Sequence, residues 1–434
     1  MEEDLRLDKE NTVKTPIKVE KRLELAIEQA SKRIKYESAH DDSIIHALEI
    51  VAEFIKRKKR VCYGGTAMNA ILPESKKFYN PEFELPDYDF YTPDVDSDVK
   101  ELVEDLNKEG YKDVYHKMGI HEGTKKILVN FVPIADITSI QAELYDILLR
   151  RSIVKNDIHY TDENVLRMMM YLELSRPKGM VERWPKVFER LQLINQVFPI
   201  RGCYTPVKQK KNIPFVIRNT ILKYIIEWKR ILCSGPLIQL YRQGIRKHNA
   251  VFRIEGGGPL LFTSPDPKVD ALTLKRLLED SSIKLFRHTA RGDVVPERIE
   301  LRLKNDTLCV IVQETACHSC TPFPMPDGGK IFVGSLEFLI TLYLSLSIFT
   351  THADDILGKN SLCQVRQFIE LSNENSKANK SQFTPFPLQC RGHQTGFASL
   401  LREKVRRTKQ NNESVTRSLR KSVGKKTRKD VSKK

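Results

Sequence analysis

At 434 residues the chain is long enough for two or three domains with cores of their own, and 40% hydrophobic with 29% charged residues fits soluble globular domains. The acidic, polar start Met1-Glu2-Glu3-Asp4 is not expected to be a signal peptide, and the most apolar run, Leu336 to Phe349, is too short to span a bilayer and reads as a buried helix. The net charge of +16 sits largely in residues 401–434, which hold 14 Lys and Arg against three acids, while eight scattered cysteines suggest a reducing compartment with no disulfide framework.

Residues 15–36 read as a charged helix carrying Ile17, Leu23, Ala26 and Ile27, expected to pack against the next domain. Asp41-Asp42-Ser43 caps a second helix whose Ile44, Ile45, Leu48, Val51, Ala52 and Ile55 recur at helical spacing, with Lys56 to Arg60 at its end. A short apolar strand, Val61-Cys62-Tyr63, then leads into Gly64-Gly65-Thr66, after which residues 66–72 can open a helix. Two glycines at a strand-to-helix turn let backbone N–H groups approach a phosphate, and the helix N-terminus adds partial positive charge. Asn69 lies on the same helix.

Pro86-Asp87-Tyr88-Asp89-Phe90 follows. Asp87 and Asp89, two apart on an extended segment, point to one face, and adjacent carboxylates repel unless a cation sits between them. Phosphates beside paired aspartates make a metal-assisted phosphoryl or nucleotidyl transfer site. Asp94, Asp96 and Asp98 read instead as cap and loop residues, Asp98 with Glu101 opening a helix that Gly110 ends. Residues 127–137 read as one extended segment interrupted by Pro133. Asp136 lies there among apolar residues with no neighbouring cation, costly unless paired or on a metal, and is the expected third carboxylate. Asp113 and Asp146 are weaker candidates, one in a polar turn and the other on a helix. Arg167 to Pro177 is a helix stopped by proline, its methionines core filler.

Gly64-Gly65-Thr66-Ala67, Pro86-Asp87-Tyr88-Asp89-Phe90, Ala135-Asp136-Ile137 and Tyr171-Leu172-Glu173-Leu174-Ser175-Arg176-Pro177 together resemble the poly(A) polymerase catalytic subunit of large nucleocytoplasmic DNA viruses, the asfarvirus and mimivirus kind above all and poxviruses more distantly. The likeness is dense over residues 61–190. It implies an α+β fold with a DNA polymerase beta-like nucleotidyltransferase domain, followed by a mixed α/β domain in which a degenerate second nucleotidyltransferase-like half is expected. It also implies Mg²⁺ or Mn²⁺ on Asp87, Asp89 and Asp136, and ATP held by Gly64, Gly65, Thr66 and Asn69. The acceptor is then an RNA 3′ end. A homodimer or a processivity or cap-methyltransferase subunit is an implied partner, no membrane is involved, and the implied location is the host cytoplasm or the virion. Another nucleotidyltransferase, adding CCA or uridine or making an oligonucleotide, and a non-catalytic RNA-binding scaffold remain the alternatives.

Downstream, residues 213–232 and 236–246 suggest helices, Leu301 to Gln313 alternates like strands, and Arg253 to Pro259 is a second glycine turn, the candidate trace of the duplication. Cys317-His318-Ser319-Cys320 lacks the second Cys-x-x-Cys that a structural zinc site needs and reads as core or surface thiols. Residues 371–382 read as a linker. The expected division is an N-terminal arm over 1–42, a catalytic domain over 43–190, a mixed domain over 191–400 and a basic disordered tail over 401–434 that binds polyanions.

Overall fold

Helix α2 (Asp42–Lys58) starts where its cap residue stands: the Asp41 carboxylate accepts from the N–H groups of Ser43 and Ile44 at 3.0 and 3.2 Å. It ends at Lys59, whose φ of 51° turns the chain into the first strand. A computed structural model describes residues 17–201, 213–253, 257–292, 294–350, 361–396, 398–407 and 409–410. Before α2 runs α1 (Ile17–Ala39). Contrary to expectation, its described side chains lie almost wholly in solvent, Leu23, Ile27 and Ile34 among them, and Tyr36 meets Phe83 edge-on. Its apolar residues are too sparse among the charges to form a wide buried face.

The first sheet has the order β3-β4-β5-β2-β1-β7-β6. It comprises β1 (Val61–Tyr63), β2 (Tyr88–Thr92), β3 (Val114–Met118), β4 (Thr124–Val129), β5 (Val132–Ser139), β6 (Ile153–Lys155) and β7 (Ile158–Tyr160). Helices α3 (Gly64–Ile71), α4 (Val95–Lys108), α5 (Ala142–Arg151), α6 (Glu163–Leu174) and α7 (Trp184–Val197) complete this half. Residues 127–137 are not one segment but a hairpin. Asn130 and Phe131 both take positive φ and reverse the chain, while Pro133 lies inside β5 beside a register shift. Helix α4 also starts earlier than expected: Asp94 is its cap, and Asp98 is buried within it.

The second sheet, in the order β10-β11-β12-β9-β8-β14-β13-β15, holds β8 (Ile231–Leu232), β9 (Leu260–Ser264), β10 (Ile283–His288), β11 (Arg298–Leu303), β12 (Asp306–Gln313), β13 (His318–Pro324), β14 (Lys330–Gly334) and β15 (Cys390–Arg391). Its helices are α8 (Phe215–Glu227), α9 (Leu237–Lys247), α10 (Pro267–Leu277), α11 (Leu336–Phe349) and α12 (Ser361–Lys377). Helix α11 is buried, as its composition requires, and packs on α6 to join the halves. Helix α12 runs through most of the stretch expected to be a linker, with Ser372 and Asn375 buried.

Apart from β15, the second sheet repeats the first. The pairings β6–β7, β7–β1, β1–β2, β2–β5, β5–β4 and β4–β3 have the same directions as β13–β14, β14–β8, β8–β9, β9–β12, β12–β11 and β11–β10. Register makes the correspondence residue by residue, since Cys62 faces Phe90 as Leu232 faces Phe262. Lys59 and Lys229 then coincide, with φ of 51° and 50°. So do two buried ion pairs: Arg60 Nε to Asp98 Oδ2 at 2.7 Å, and Arg230 Nη2 to Asp270 Oδ1 at 2.8 Å. Pro93-Asp94 and Pro265-Asp266 coincide as helix starts, each aspartate capping its own helix. The duplication is therefore present, but not where the glycines suggested. Ser234-Gly235 is the counterpart of Gly64-Gly65, and Gly257-Gly258 only lead into β9.

Cys317 is disulfide-bonded to Cys390, with a Cα–Cα distance of 5.3 Å, against the expectation of isolated thiols. Strand β15 lies along β13 and brings together two cysteines 73 residues apart; Cys320 stays a buried thiol. Within the stretch expected to be a disordered tail, residues 401–407 and 409–410 are helical, and Arg407 Nη2 donates to the Ile120 carbonyl at 3.2 Å. The rest of the basic tail, 411–434, lies outside the described residues. Among the described residues no helix is long and apolar enough to cross a membrane.

Candidate active site

Strand β1 delivers the chain into α3 at Gly64 itself, so the glycines form the helix's first turn rather than precede it. Tyr63 caps it with backbone only, which leaves the first N–H groups without a side-chain acceptor. Gly64 has φ +73°, and a Cβ there would lie 2.5 Å from Asp89 Oδ2. Only glycine allows this carboxylate so near the turn. A Cβ at Gly65 would run into the Tyr79 hydroxyl and lie 2.9 Å from Arg190 Nη1.

Asp89 is reached twice by register, opposite Tyr63 on antiparallel β1 and opposite Asp136 on parallel β5. The expected third carboxylate thus stands beside the second, and Asp87 lies two residues upstream with its side chain reaching solvent. Asp89 is pushed up to about 8 by lost hydration, then by Asp87 and Asp136; Lys126 and Arg183 oppose the shift. The Asp87 carboxyl is also raised, by lost hydration first and then by Asp136, with Lys126 again opposing. Asp113 and Asp146 lie in the turn before β3 and on α5.

One expectation about Asp136 fails. It does have a neighbouring cation: Lys126, directly opposite on antiparallel β4, places its ammonium 2.5 Å from Asp136 Oδ2. Ten residues separate the two in sequence, and only the hairpin brings them together. The other oxygen, Oδ1, is buried without a hydrogen-bond partner among the described residues. As the side chains stand, no group of three or more His, Cys, Asp or Glu among the described residues is set to hold a metal ion. The donor chemistry nevertheless fits one, since hard oxygen donors are what Mg²⁺ and Mn²⁺ take.

Thr66 donates its hydroxyl to the Asp87 carbonyl at 2.7 Å, tying the glycine turn to the entry of β2. Asn69 Oδ1 accepts from the N–H groups of Phe78 and Tyr79 at 2.8 and 3.2 Å, folding the segment after α3 back over that turn. Both residues expected to touch nucleotide are therefore engaged within the protein here. The folded-back segment carries a group that motif reading missed. Arg190, from α7, lies 4.4 Å from the Phe78 ring centroid, and its Nη2 donates to the Tyr79 hydroxyl at 3.2 Å. Phe78-Tyr79 and Arg190 are 111 residues apart, so no local pattern announces them. Arg183, paired with Glu173 at 3.3 Å, is the other cation near the carboxylates.

Residues 49–180 match the family described as poly(A) polymerase catalytic subunit, which bears out the resemblance read from the motifs. Two curated relatives, each named "Putative poly(A) polymerase catalytic subunit", are similar over part of their length. One from African swine fever virus is 27% identical over 208 residues, 44% of this chain and 43% of that protein. One from Acanthamoeba polyphaga mimivirus is 31% identical over 160 residues, 35% of this chain and 26% of that protein. The matches thus span less than half the length of these relatives. Among solved structures, the Megavirus polyadenylate synthase has the same fold over 95% of this chain and 85% of its own, with a TM-score of 0.71 and 20% identity.

Proposed function

We propose that the chain adds AMP from ATP to an RNA 3′ end without a template, releasing pyrophosphate. The observation that carries this reading is the position of Asp89, whose carboxylate lies against the glycine turn on one side and beside Asp136 on the other. Nucleotidyl transfer needs that adjacency, because the triphosphate bound at the turn must present its α-phosphorus to the carboxylates.

In this reading Asp87, Asp89 and Asp136 hold the divalent cation, Mg²⁺ or Mn²⁺. Bound there, it would lower the pKa of the RNA 3′-hydroxyl and offset charge on the α-phosphate. The N–H groups at the start of α3, from Gly64, Gly65 and Thr66, receive the triphosphate. Asn69 supports them by fixing the Phe78-Tyr79 segment, and Arg190 supplies positive charge over Gly65. The 3′-hydroxyl gives up its proton to solvent as its oxygen bonds to the α-phosphorus, the bond to the β-bridging oxygen breaks, and pyrophosphate leaves with that electron pair. The choice of adenine and of an RNA acceptor draws on the relatives named above.

Incubating the protein with end-labelled RNA and each NTP separately, with Mg²⁺ or Mn²⁺, tests the proposal. Extension with ATP well above the other three supports it. Extension with CTP or UTP instead points to another nucleotidyltransferase, and tight RNA binding without extension points to a scaffold.

A further inference from the structure

We infer that Lys126 is the resident counter-cation of the carboxylate site, a positioning residue that holds the Asp136 carboxylate in place until a divalent ion displaces it. This rests on reading the three aspartates as a metal site.

Geometry supplies the first support. Lys126 is bound to the strand register opposite Asp136 and holds one of its two oxygens, while the second is buried and unpartnered. A carboxylate left half-satisfied away from water is costly, and a single ammonium cannot satisfy three acids. A divalent ion brings twice the charge and takes oxygen ligands from several directions at once. The ammonium therefore holds a position in which a better cation fits.

The internal duplication supplies the second, independent support. Register places Leu261 where Asp89 stands, Val310 where Asp136 stands, and Pro259 at the position of Asp87. The residue opposite Val310, and so the counterpart of Lys126, is Glu300. Features that serve the fold survive in both halves, namely the left-handed lysine, the buried Arg–Asp pair and the helix-capping aspartate. The lysine has gone with the acids and been replaced by the opposite charge. Glu300 is itself buried and paired with Arg302 and His288. Were Lys126 an ordinary cross-strand salt bridge with a role in folding, it would be sorted with the features kept. It is sorted with those lost.

Titrating Mg²⁺ into the full chain by calorimetry at pH 9, without RNA or ATP, tests the inference. Lys126→Met frees the Asp136 oxygen and removes a like charge, so Mg²⁺ should bind about tenfold more tightly than to wild type, the equivalent of one lost charge-assisted contact. The metal-free Tm of that variant should fall, and saturating Mg²⁺ should restore it to the wild-type value. Lys126→Gln should behave in the same direction, which guards against a defect peculiar to methionine, and Lys126→Arg should bind Mg²⁺ as wild type does. Unchanged or weaker Mg²⁺ binding by both neutral variants overturns the inference and leaves Lys126 a structural ion pair. Asp89→Asn, run in parallel, separates the two levels. If it keeps wild-type Mg²⁺ affinity, or wild type binds none, the reading of the aspartates as a metal site fails and the role of Lys126 falls with it.

Discussion

Asp89 on β2 and Asp136 on β5 face each other directly in a parallel ladder. Neighbouring strands lie about 4.8 Å apart, so two carboxylates are fixed side by side on one face of the sheet. Such a pair is unfavourable when both are ionised, and the fold offsets it with Lys126 on the next strand.

The cost should be visible in the pH dependence of stability. Asp89 is raised to about 8 in the folded protein, far above its unfolded value near 3.8, so the folded state binds the extra proton between roughly pH 4 and pH 8. Metal-free stability should therefore fall as pH rises across that window and level off above it. Asp89→Asn removes this component. Thermal melts of the metal-free proteins should show the variant above wild type at pH 8, with the gap closing toward pH 4, and saturating Mg²⁺ should narrow the gap at pH 8.

The two glycines should fail differently. Gly64→Ala places a side chain in left-handed backbone, at about 1–2 kcal/mol, and drives its Cβ against Asp89. Turnover should drop by on the order of 10²-fold while Tm drops only by a few degrees. Gly65→Ala meets the end of a movable tyrosine, so the loss should appear in KM for ATP more than in kcat, as steady-state kinetics on a short RNA would show.

Arg190 should behave as a ground-state phosphate contact. Replacing it with alanine removes a charge-assisted hydrogen bond of about 1.5–3 kcal/mol, so KM for ATP should rise by roughly 10- to 100-fold with kcat changed little. RNA affinity without ATP should stay the same, which filter binding would check.

Arg60→Met and Arg230→Met should destabilise alike, though one precedes the strand that leads into the Gly64-Gly65 turn and the other precedes its counterpart. Each strips a buried aspartate of its guanidinium, leaving Asp98 with Lys58 at 3.8 Å and Asp270 with the Tyr224 hydroxyl at 2.8 Å, at a cost approaching about 3–5 kcal/mol. Chemical denaturation would give both values. A negligible effect at Arg230 would mean that the second half retains the pair without depending on it.

The segments that form the candidate site were legible in the sequence because glycine and aspartate each have a physical reason to occupy such positions. Gly64-Gly65, Asp87-Tyr88-Asp89 and Asp136 fall on β1, β2 and β5 or their turns, and the cap of α2 and the buried α11 were equally readable. Groups joined only by strand register or helix packing were not. Lys126 opposite Asp136, Arg190 over Phe78 and Cys317 bonded to Cys390 all depend on which elements become neighbours. The duplication did leave a trace, in Lys59-Arg60-Val61-Cys62-Tyr63-Gly64-Gly65 against Lys229-Arg230-Ile231-Leu232-Cys233-Ser234-Gly235. That trace is weaker to the eye than the run at Gly256-Gly257-Gly258, because glycine alone does not distinguish a phosphate turn from a loop.

Single-nucleotide extension of a short labelled RNA by ATP with Mg²⁺, followed by rapid quench for wild type, Asp89→Asn and Asp136→Asn, tests most directly whether this carboxylate pair performs the transfer. The expected result is AMP addition by wild type and a rate lower by on the order of 10²–10³ in each variant, with RNA affinity unchanged in the absence of metal. Extension by Asp136→Asn within about threefold of wild type, alongside loss of activity in Asp113→Asn or Asp146→Asn, would contradict it.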